Sequence, residues 1–237
     1  SPAALGAFER TREFRALTWA ALSAAQGVVA ISSVAARELL ELIPTLASRL
    51  TTAPLGVDAG SAPSAEEVRR VRRERSLPAR YVVHTGSDYP HKNLELLLEA
   101  WVLVPRELKV DLVLAGPPSN LAGALYTSGR ALPDGVRLLG ELPPEDVLPT
   151  LAGASVAVLP SVYEGFGLLA LEAMVCRVPI IAAGVSGLRE VVGGAGVALT
   201  SLSPQELAAA IVRVLREPAE AARLVAAGTK RVRSFDW

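Results

Sequence analysis

Short apolar runs alternate with longer amphipathic segments along the chain from residue 81 onward. Six of these runs are almost continuous in hydrophobic side chains, which is typical of strands that are covered on both faces of a sheet. Segments with helical periodicity separate the runs, and this alternation indicates parallel strands joined by helices. The sequence therefore predicts an α/β fold with a doubly wound parallel sheet. The predicted strands are residues 81–84, 110–115, 136–139, 155–159, 179–182 and 196–199.

The segments between these strands carry helix start signals. Asn93 precedes one periodic segment and Ser203 precedes another, and both are predicted as N-caps. Glu206 follows Ser203 at the spacing of a capping box. The predicted helices are residues 93–103, 143–151, a segment after Gly167, 188–192, 203–215 and 218–233.

The first part of the chain has a different organisation. A long Ala/Leu/Arg pattern over residues 4–26 precedes two apolar runs, at 27–31 and 49–53, with a capped helix from Ser32 or Ser33 to Leu42 between them. Two such units are too few to close a sheet of their own. They are interpreted as the end of another domain, a partial second α/β domain, joined by a Gly/Ala/Pro-rich linker at 54–63.

Composition and charge narrow the class of protein. The 237 residues are 51% hydrophobic, with 24 basic and 24 acidic residues, which argues for a soluble globular chain and against a nucleic-acid partner. Glu172 and Arg177 interrupt the longest apolar stretch, so a membrane span is not expected, although peripheral membrane contact stays open. A single cysteine, Cys176, and no signal-peptide pattern favour a cytoplasmic location. His84 and His91 lack partners at metal-ligand spacing, so no metal site is expected.

A run of arginines at residues 69–75 allows two interpretations. It is either a basic patch for anionic lipid or nucleic acid, or the solvated face of a short helix entered through Ser64, Glu66 and Glu67. The neutral net charge favours the solvated helix.

The turn after the first predicted strand is a candidate ligand site, because parallel sheets bind ligands beyond the carboxyl ends of their strands. Gly86 allows a ligand to approach the backbone, and Lys92 with the amides after Asn93 offers positive charge to a phosphate. Lysine is scarce here, at three against 21 arginines, which favours a functional Lys92. A polar surface loop is the alternative.

A second turn, from Tyr163 to Glu172, is the stronger candidate. Two glycines at a helix start expose amide groups suited to a pyrophosphate or to sugar hydroxyls. Glu164 and Glu172 can then bind two parts of one ligand. Because Glu172 lies among apolar residues, it needs a partner. That partner is either a ligand hydroxyl or a structural ion pair with Arg177 or Arg189.

The same turn matches a loose dinucleotide-binding pattern at Gly165, Gly167 and Ala170. The acidic residue that should follow the next strand is missing at residues 182–184, so a nicotinamide enzyme is disfavoured. A third turn, at 184–190, also contains glycines, and the geometry of the turn explains them as well as a ligand site would.

The segment Glu-Gly-Phe-Gly-Leu-Leu-Ala-Leu-Glu-Ala-Met, at 164–174, places seven residues between two glutamates and is followed by Val-Pro-Ile-Ile. It resembles the group 1 retaining glycosyltransferases, whose two facing Rossmann-like domains form the GT-B architecture. The resemblance extends over most of the chain and includes residues 29–32, 54–58, Gly86, 92–93, 114–116 and 235–237.

The resemblance implies that residues 58–237 form a C-terminal domain that binds a nucleotide-sugar donor, and that residues 1–57 are a remnant of the N-terminal, acceptor-side domain. Lys92 would contact the diphosphate, Glu172 the ribose, and Glu164 the sugar hydroxyls as the catalytic candidate. The other implied donor-binding residues are Gly86, Ser87, Leu139, Gly140, Leu142, Gly165, Phe166, Gly167 and Leu168.

The function implied is transfer of a hexose, with retention and without a metal or cofactor, from GDP-mannose or a UDP-sugar to a saccharide or lipid-linked acceptor. The Gly-Ser-Asp-Tyr-Pro-x-Lys-Asn form resembles mannosyltransferase-like members, which favours GDP-mannose. The catalytic histidine of such enzymes belongs to the N-terminal domain outside this chain, so the chain alone is expected to be inactive.

Three positions depart from the family pattern. Ser87 stands where a phosphate-binding arginine is common, Arg177 where a glycine usually ends the helix, and Leu55 where asparagine is usual. These departures keep a second hypothesis open: a non-catalytic nucleotide-binding or interaction module with the same fold.

Overall fold

A computed structural model describes residues 12–87, 89–117 and 131–236. Its main sheet has six parallel strands in the order β5-β4-β3-β6-β7-β8, and β1 pairs with β2 in a separate parallel sheet. The predicted α/β class is confirmed, and each of the six predicted strands lies within one residue of the observed bounds. The strands are β1 Val28–Ala30, β2 Leu50–Thr52, β3 Tyr81–Thr85, β4 Asp111–Ala115, β5 Val136–Gly140, β6 Val156–Leu159, β7 Ile180–Ala183 and β8 Val197–Leu199.

Helices connect the strands and cover both faces of the main sheet. Serine side chains cap three of them, since Ser32, Ser64 and Ser203 each accept a backbone N–H of the first turn. The described α-helices are α1 Arg12–Ala24, α2 Ser33–Leu42, α3 Ala65–Glu74, α4 Leu94–Val102, α5 Pro144–Ala152, α6 Leu168–Val175, α7 Ser186–Val192, α8 Pro204–Arg216 and α9 Pro218–Val232. Residues 4–11 of the first predicted helix lie outside the described residues.

Two predicted caps differ in detail. Asn93 precedes α4 but has a left-handed backbone, with φ 56°, and its side chain makes no capping bond. Its amide donates to the Pro160 carbonyl instead, so this side chain joins two turns rather than closing a helix. Glu206 accepts from the backbone N–H groups of Thr200 and Ser201, which ties α8 to the preceding loop rather than to its own N-cap.

The strand order reverses between β3 and β6. β4 and β5 lie on one side of this pair and β7 and β8 on the other. The two strands pair at Val82–Val156 and Val83–Ala157. A crevice at such a reversal is where open α/β sheets bind ligands. The topology therefore marks one place on the sheet edge as the expected binding site.

The hydrophobic core lies on the two faces of the main sheet. Alternate side chains of β3 point to opposite faces: Tyr81 and Val83 to one, Val82 to the other. Leu171 of α6 packs in the first cluster and Trp101 of α4 in the second, and both are at most 1% exposed. A sheet buried on both sides explains why its strands are continuous apolar runs.

The N-terminal elements form a smaller cluster built on Val28, Ile43 and Leu46. Helix α2 of this unit packs against α7. Residue 57 makes a parallel bridge to Asp236, so the segment after β2 meets the end of the described chain. The division into domains at residues 57 and 58 stays a prediction.

The arginine run lies on α3, and part of it is structural. Asp146 of α5 is 2% exposed and accepts hydrogen bonds from Arg70 at 2.8 Å and from Arg75 at 2.7 Å. Burial opposes ionisation of Asp146, but the bonds from Arg75 and Arg70 outweigh burial and hold its pKa below the usual range. These ion pairs join α3 to α5.

We expect Asp146→Ala to lower the free energy of unfolding by about 1.5–3 kcal/mol at pH 7, because it deletes charge-assisted bonds at a buried carboxylate. Glu74→Ala is the control, since Glu74 pairs with Arg70 at the surface and should matter by less than about 1 kcal/mol. Urea unfolding measures both.

A lowered carboxyl pKa stabilises the folded state above the unfolded pKa, and this contribution is lost as the pH falls through the folded value. The effect of Asp146→Ala should therefore be constant from pH 7 to 5 and shrink only below about pH 4. An effect no larger than that of Glu74→Ala, or one that fades near pH 6, would contradict this account.

Candidate donor site

Two turns that follow β3 and β6 meet through an ion pair. Lys92 ends a short 3₁₀ turn after β3, and its Nζ lies 2.7 Å from Oε1 of Glu164, in the turn after β6. The hydroxyl of Ser161, which is 1% exposed, donates to the same carboxylate oxygen at 2.8 Å. An ammonium group has three N–H donors, and within the described residues Lys92 uses one of them, for Glu164.

Further bonds tie the same two turns together. The Val162 N–H donates to the His91 carbonyl at 2.8 Å, and the Asn93 amide donates to the Pro160 carbonyl at 3.3 Å. The position of Lys92 beside Glu164 is thus set by backbone as well as side-chain contacts. A pre-positioned cation loses less entropy when it binds an anion than a free lysine would.

His84 lies below this ion pair, near the end of β3. Its ring is 2% exposed, and Nδ1 lies 2.9 Å from the Val158 carbonyl oxygen, beyond the last paired residues of β3 and β6. Burial lowers the pKa of His84 to about 4, so the ring is neutral at pH 7 and Nδ1 carries the proton toward that carbonyl. Nε2 has no partner among the described residues. The His84 side chain therefore links β3 to β6 one residue beyond the last residue pair of the two strands.

The glycine-rich turn after β6 exposes backbone amides. Gly167 precedes α6 with φ 116°, a conformation that side chains disfavour. The amide groups of Phe166 and Gly167 donate no hydrogen bond within the described part of the chain. The Phe166 ring is 3% exposed and packs edge-to-face on Phe235, 5.8 Å between centroids, which anchors the turn. Free amides at a helix start suit an anion.

Glu172 lies on α6, one turn beyond Leu168, and is half-buried. Burial raises its pKa above the ordinary value. Across the described residues, neither Arg177 nor Arg189 forms an ion pair with it, so the structure does not contain the two ion pairs named as the structural alternative. Glu172 lines an open cavity of about 390 Å³ between α5 and α6, together with Val57, Asp58, Ser61, Pro144, Val147, Leu148 and Val175.

The remaining predicted donor residues lie at the same edge of the sheet. Gly86 and Ser87 follow β3, and the Gly86 N–H donates to the Ala115 carbonyl at 2.8 Å. Leu139 and Gly140 end β5, and the half-buried Leu142 lies just before α5. The structure therefore gathers the predicted positions at the carboxyl ends of β3, β5 and β6, and their roles toward a ligand stay predictions.

No group of three His, Cys, Asp or Glu side chains that could hold a metal ion occurs within residues 12–87, 89–117 and 131–236. In the same ranges, none of the helices combines the length and apolar character needed to cross a bilayer.

Fold and site together define an open, parallel α/β protein with a lysine–glutamate pair and a glycine-rich turn at its carboxyl edge, and comparison with known proteins gives the family. The model of the group 1 glycosyl transferases matches residues 79–217. The chain belongs to this family, and its resemblance to GT-B glycosyltransferases is confirmed.

Individual relatives agree with this assignment. The O-antigen chain mannosyltransferase B of Escherichia coli is 31% identical over 235 residues, 97% of this chain and 62% of that protein. Sucrose-phosphate synthase from Thermosynechococcus elongatus superposes with a TM-score of 0.80 at 28% identity, covering 98% of this chain and 60% of that one. HepE from Anabaena, solved with UDP and glucose, has the same fold, with a TM-score of 0.80 at 22% identity over 98% of this chain and 66% of that one. The chain spans about 60% of the length of these proteins.

Several residues of the site were not found from the sequence. Ser161 follows a strand but belongs to no motif. Tyr163 donates to Glu38 of α2 at 2.8 Å, and Ser32 of the same region donates to the Gly165 carbonyl at 2.7 Å. These contacts join residues 125 and 133 positions apart. Only the strand order and the packing of α2 on α7 bring them together.

We expect Glu172→Gln to stabilise the ligand-free chain at pH 7. A carboxyl whose pKa is raised by burial costs folding free energy at pH values above its unfolded pKa, and the cost vanishes when the group is protonated. Thermal melting should show a higher Tm for the variant at pH 7 and equal values near pH 4. Exposed Glu99→Gln serves as the control and should change little. A lower Tm at pH 7 would mean that Glu172 has a charged partner after all.

Proposed function

We propose that this chain supplies the donor site of a retaining glycosyltransferase, which moves a hexose from GDP-mannose or a UDP-sugar to a saccharide or lipid-linked acceptor. The observation that carries the proposal is the ion pair of Lys92 and Glu164 where the strand order reverses between β3 and β6, close in sequence to the Phe166 and Gly167 amides, which donate no hydrogen bond within the described residues. It offers a cation and a helix start to a diphosphate, and a carboxylate to the attached sugar, within one site.

The diphosphate binds to Lys92 and to the amides at the start of α6. Lys92 carries a full positive charge and the helix amides carry a partial one. The two phosphates of a diphosphate have enough oxygens to bind both groups at once. As the bond to the sugar breaks, negative charge grows on the leaving diphosphate. Donors that already lie in place stabilise that charge in the transition state without reorganising, and this is how Lys92 and the amides lower the barrier.

The nucleoside lies toward the cavity between α5 and α6. Glu172 is the carboxylate in its wall and has no ion pair in the described structure, so its oxygens are available to two ribose hydroxyls. The cavity, about 390 Å³, falls in the size range of small-molecule sites. The base then faces the turn at Leu139, Gly140 and Leu142, which closes the same edge of the sheet.

Glu164 is proposed as the catalytic residue because it faces the sugar end of the diphosphate site. Lys92 and Ser161 both bond Oε1, and Oε2, which has no hydrogen bond within the described residues, accepts from a sugar hydroxyl. A fixed carboxylate also favours positive charge on the anomeric carbon as the leaving group departs. The acceptor must be aligned by groups beyond those described, and loss of such alignment removes roughly 7–11 kcal/mol of catalysis. We therefore expect no sugar transfer by this chain alone.

Isothermal titration of the chain with UDP, GDP and ADP, each with Mg²⁺ and with EDTA, tests the proposal. At least one nucleoside diphosphate should bind in EDTA, because Lys92 and the amides replace a metal. A strict need for a divalent ion, or no binding by any of the three, would contradict it.

Lys92→Met should weaken binding of that nucleotide by about 1.5–3 kcal/mol, the usual value of a hydrogen bond to a charged group. Lys109→Met is the matched control, since Lys109 is an exposed lysine just before β4, at the opposite edge of the sheet. Equal losses in the two variants would show that Lys92 contributes only general charge.

Glu172→Gln should weaken binding of the same nucleotide by about 1.5–3 kcal/mol if its carboxylate accepts from ribose hydroxyls. A 2′,3′-dideoxy analogue separates this role from a general effect, because wild type and variant should bind it almost equally. If Glu172→Gln weakens binding of the dideoxy analogue as much as it weakens binding of the nucleotide, Glu172 does not contact the ribose hydroxyls.

A further inference from the structure

The turn from Tyr163 to Gly167, called the donor turn below, is held by a residue of the N-terminal unit. Ser32 is fully buried at the N-cap of α2. Its hydroxyl accepts from the Ala35 N–H at 3.0 Å and donates to the Gly165 carbonyl oxygen at 2.7 Å. One hydroxyl thus closes a helix and binds the donor turn at the same time.

Two neighbouring contacts fix α2 in this position. Tyr163, at the start of the donor turn, donates to Glu38 of α2 at 2.8 Å. Glu190 of α7 accepts from both the backbone N–H and the hydroxyl of Ser33 at 3.0 Å. Helix α2 is therefore attached to the donor turn at two points and to α7 at a third.

The other side of the Gly165 carbonyl rests on the start of α7. A side-chain carbon at Gly187 would lie 2.4 Å from the Gly165 oxygen, so only glycine allows this contact. The Gly187 N–H donates to the Glu164 carbonyl at 2.9 Å. The Gly165 carbonyl is thus enclosed between the Ser32 hydroxyl and the backbone of residue 187.

The direction of this carbonyl determines the direction of a donor-site amide. The Gly165 C=O and the Phe166 N–H belong to one planar trans peptide and point in opposite directions. A bond that fixes the carbonyl toward Ser32 therefore fixes the Phe166 N–H in the direction away from Ser32.

We infer that Ser32 is a positioning residue, which orients the Phe166 amide for the diphosphate and makes nucleotide affinity depend on the N-terminal unit. This inference rests on the proposed function for its effect on binding, while its effect on the donor turn holds without a ligand. Serine suits the position because its hydroxyl both accepts and donates, whereas a carboxylate cap cannot donate to a carbonyl.

Ser32→Gly tests the inference, because glycine retains most of the capping preference of serine but has no hydroxyl. Titration with the nucleoside diphosphate that wild type binds best should show about 3- to 10-fold weaker binding. Hydrogen exchange of the Gly187 amide, measured on the ligand-free chain, should be several-fold faster because the donor turn is freed. Ser64→Gly is the matched control: it removes the capping hydroxyl of α3, far from the donor turn, and should change neither quantity.

Wild-type affinity and exchange in Ser32→Gly, or equal changes in Ser64→Gly, would overturn the positioning role. If the wild-type chain binds none of UDP, GDP and ADP, the proposed function is wrong. The exchange rate at Gly187 then decides the positioning role alone: faster exchange in Ser32→Gly supports it, and an unchanged rate overturns it.

Discussion

The site depends on the reversal of strand order between β3 and β6. Val83 and Ala157 are the last paired residues of these two strands, and beyond them the His84 ring bonds the Val158 carbonyl. The turns that follow the two strands are joined by the ion pair of Lys92 and Glu164. This topology places a charged pair at the carboxyl edge of a sheet whose strands are apolar. The proposed ligand contacts all lie around this pair.

The carboxylates in and around this site differ in whether they have a charged partner. Lys92 and Glu164 satisfy each other, with Ser161 as a third partner, so both are held in position at modest cost. Glu172 is half-buried without an ion pair in the described chain, and its pKa is raised. Asp146, on the same face of the sheet, is deeply buried but paired with two arginines, and its pKa is lowered. Two arginines neutralise Asp146, whereas Glu172 lines a cavity and has no ion pair within the described residues. A ligand role therefore fits Glu172 and not Asp146.

The pattern of apolar runs was enough to predict the strands, because a sheet covered on both faces requires continuous hydrophobic strands. It also placed Lys92 and Glu164 at carboxyl ends, but their contact depends on the strand order, which no local pattern encodes. Asn93 occupies the predicted N-cap position, but its side chain donates to the Pro160 carbonyl of the neighbouring turn and makes no capping bond, a detail that its local context does not encode. Ser32 and Gly165 are 133 positions apart, so their bond follows only from the docking of α2 on α7. Long-range packing, rather than propensity, sets these details.

The central claim is that the crevice between β3 and β6 holds a nucleoside diphosphate through Lys92 and the start of α6. A crystal structure of the chain with the tightest-binding nucleoside diphosphate, grown in EDTA, tests this claim most directly. The account predicts phosphate oxygens within hydrogen-bond distance of Lys92 Nζ and the Phe166 or Gly167 amide, with the ribose hydroxyls at Glu172. A nucleotide bound elsewhere, or bound there with its phosphates turned away from Lys92 and α6, would contradict it.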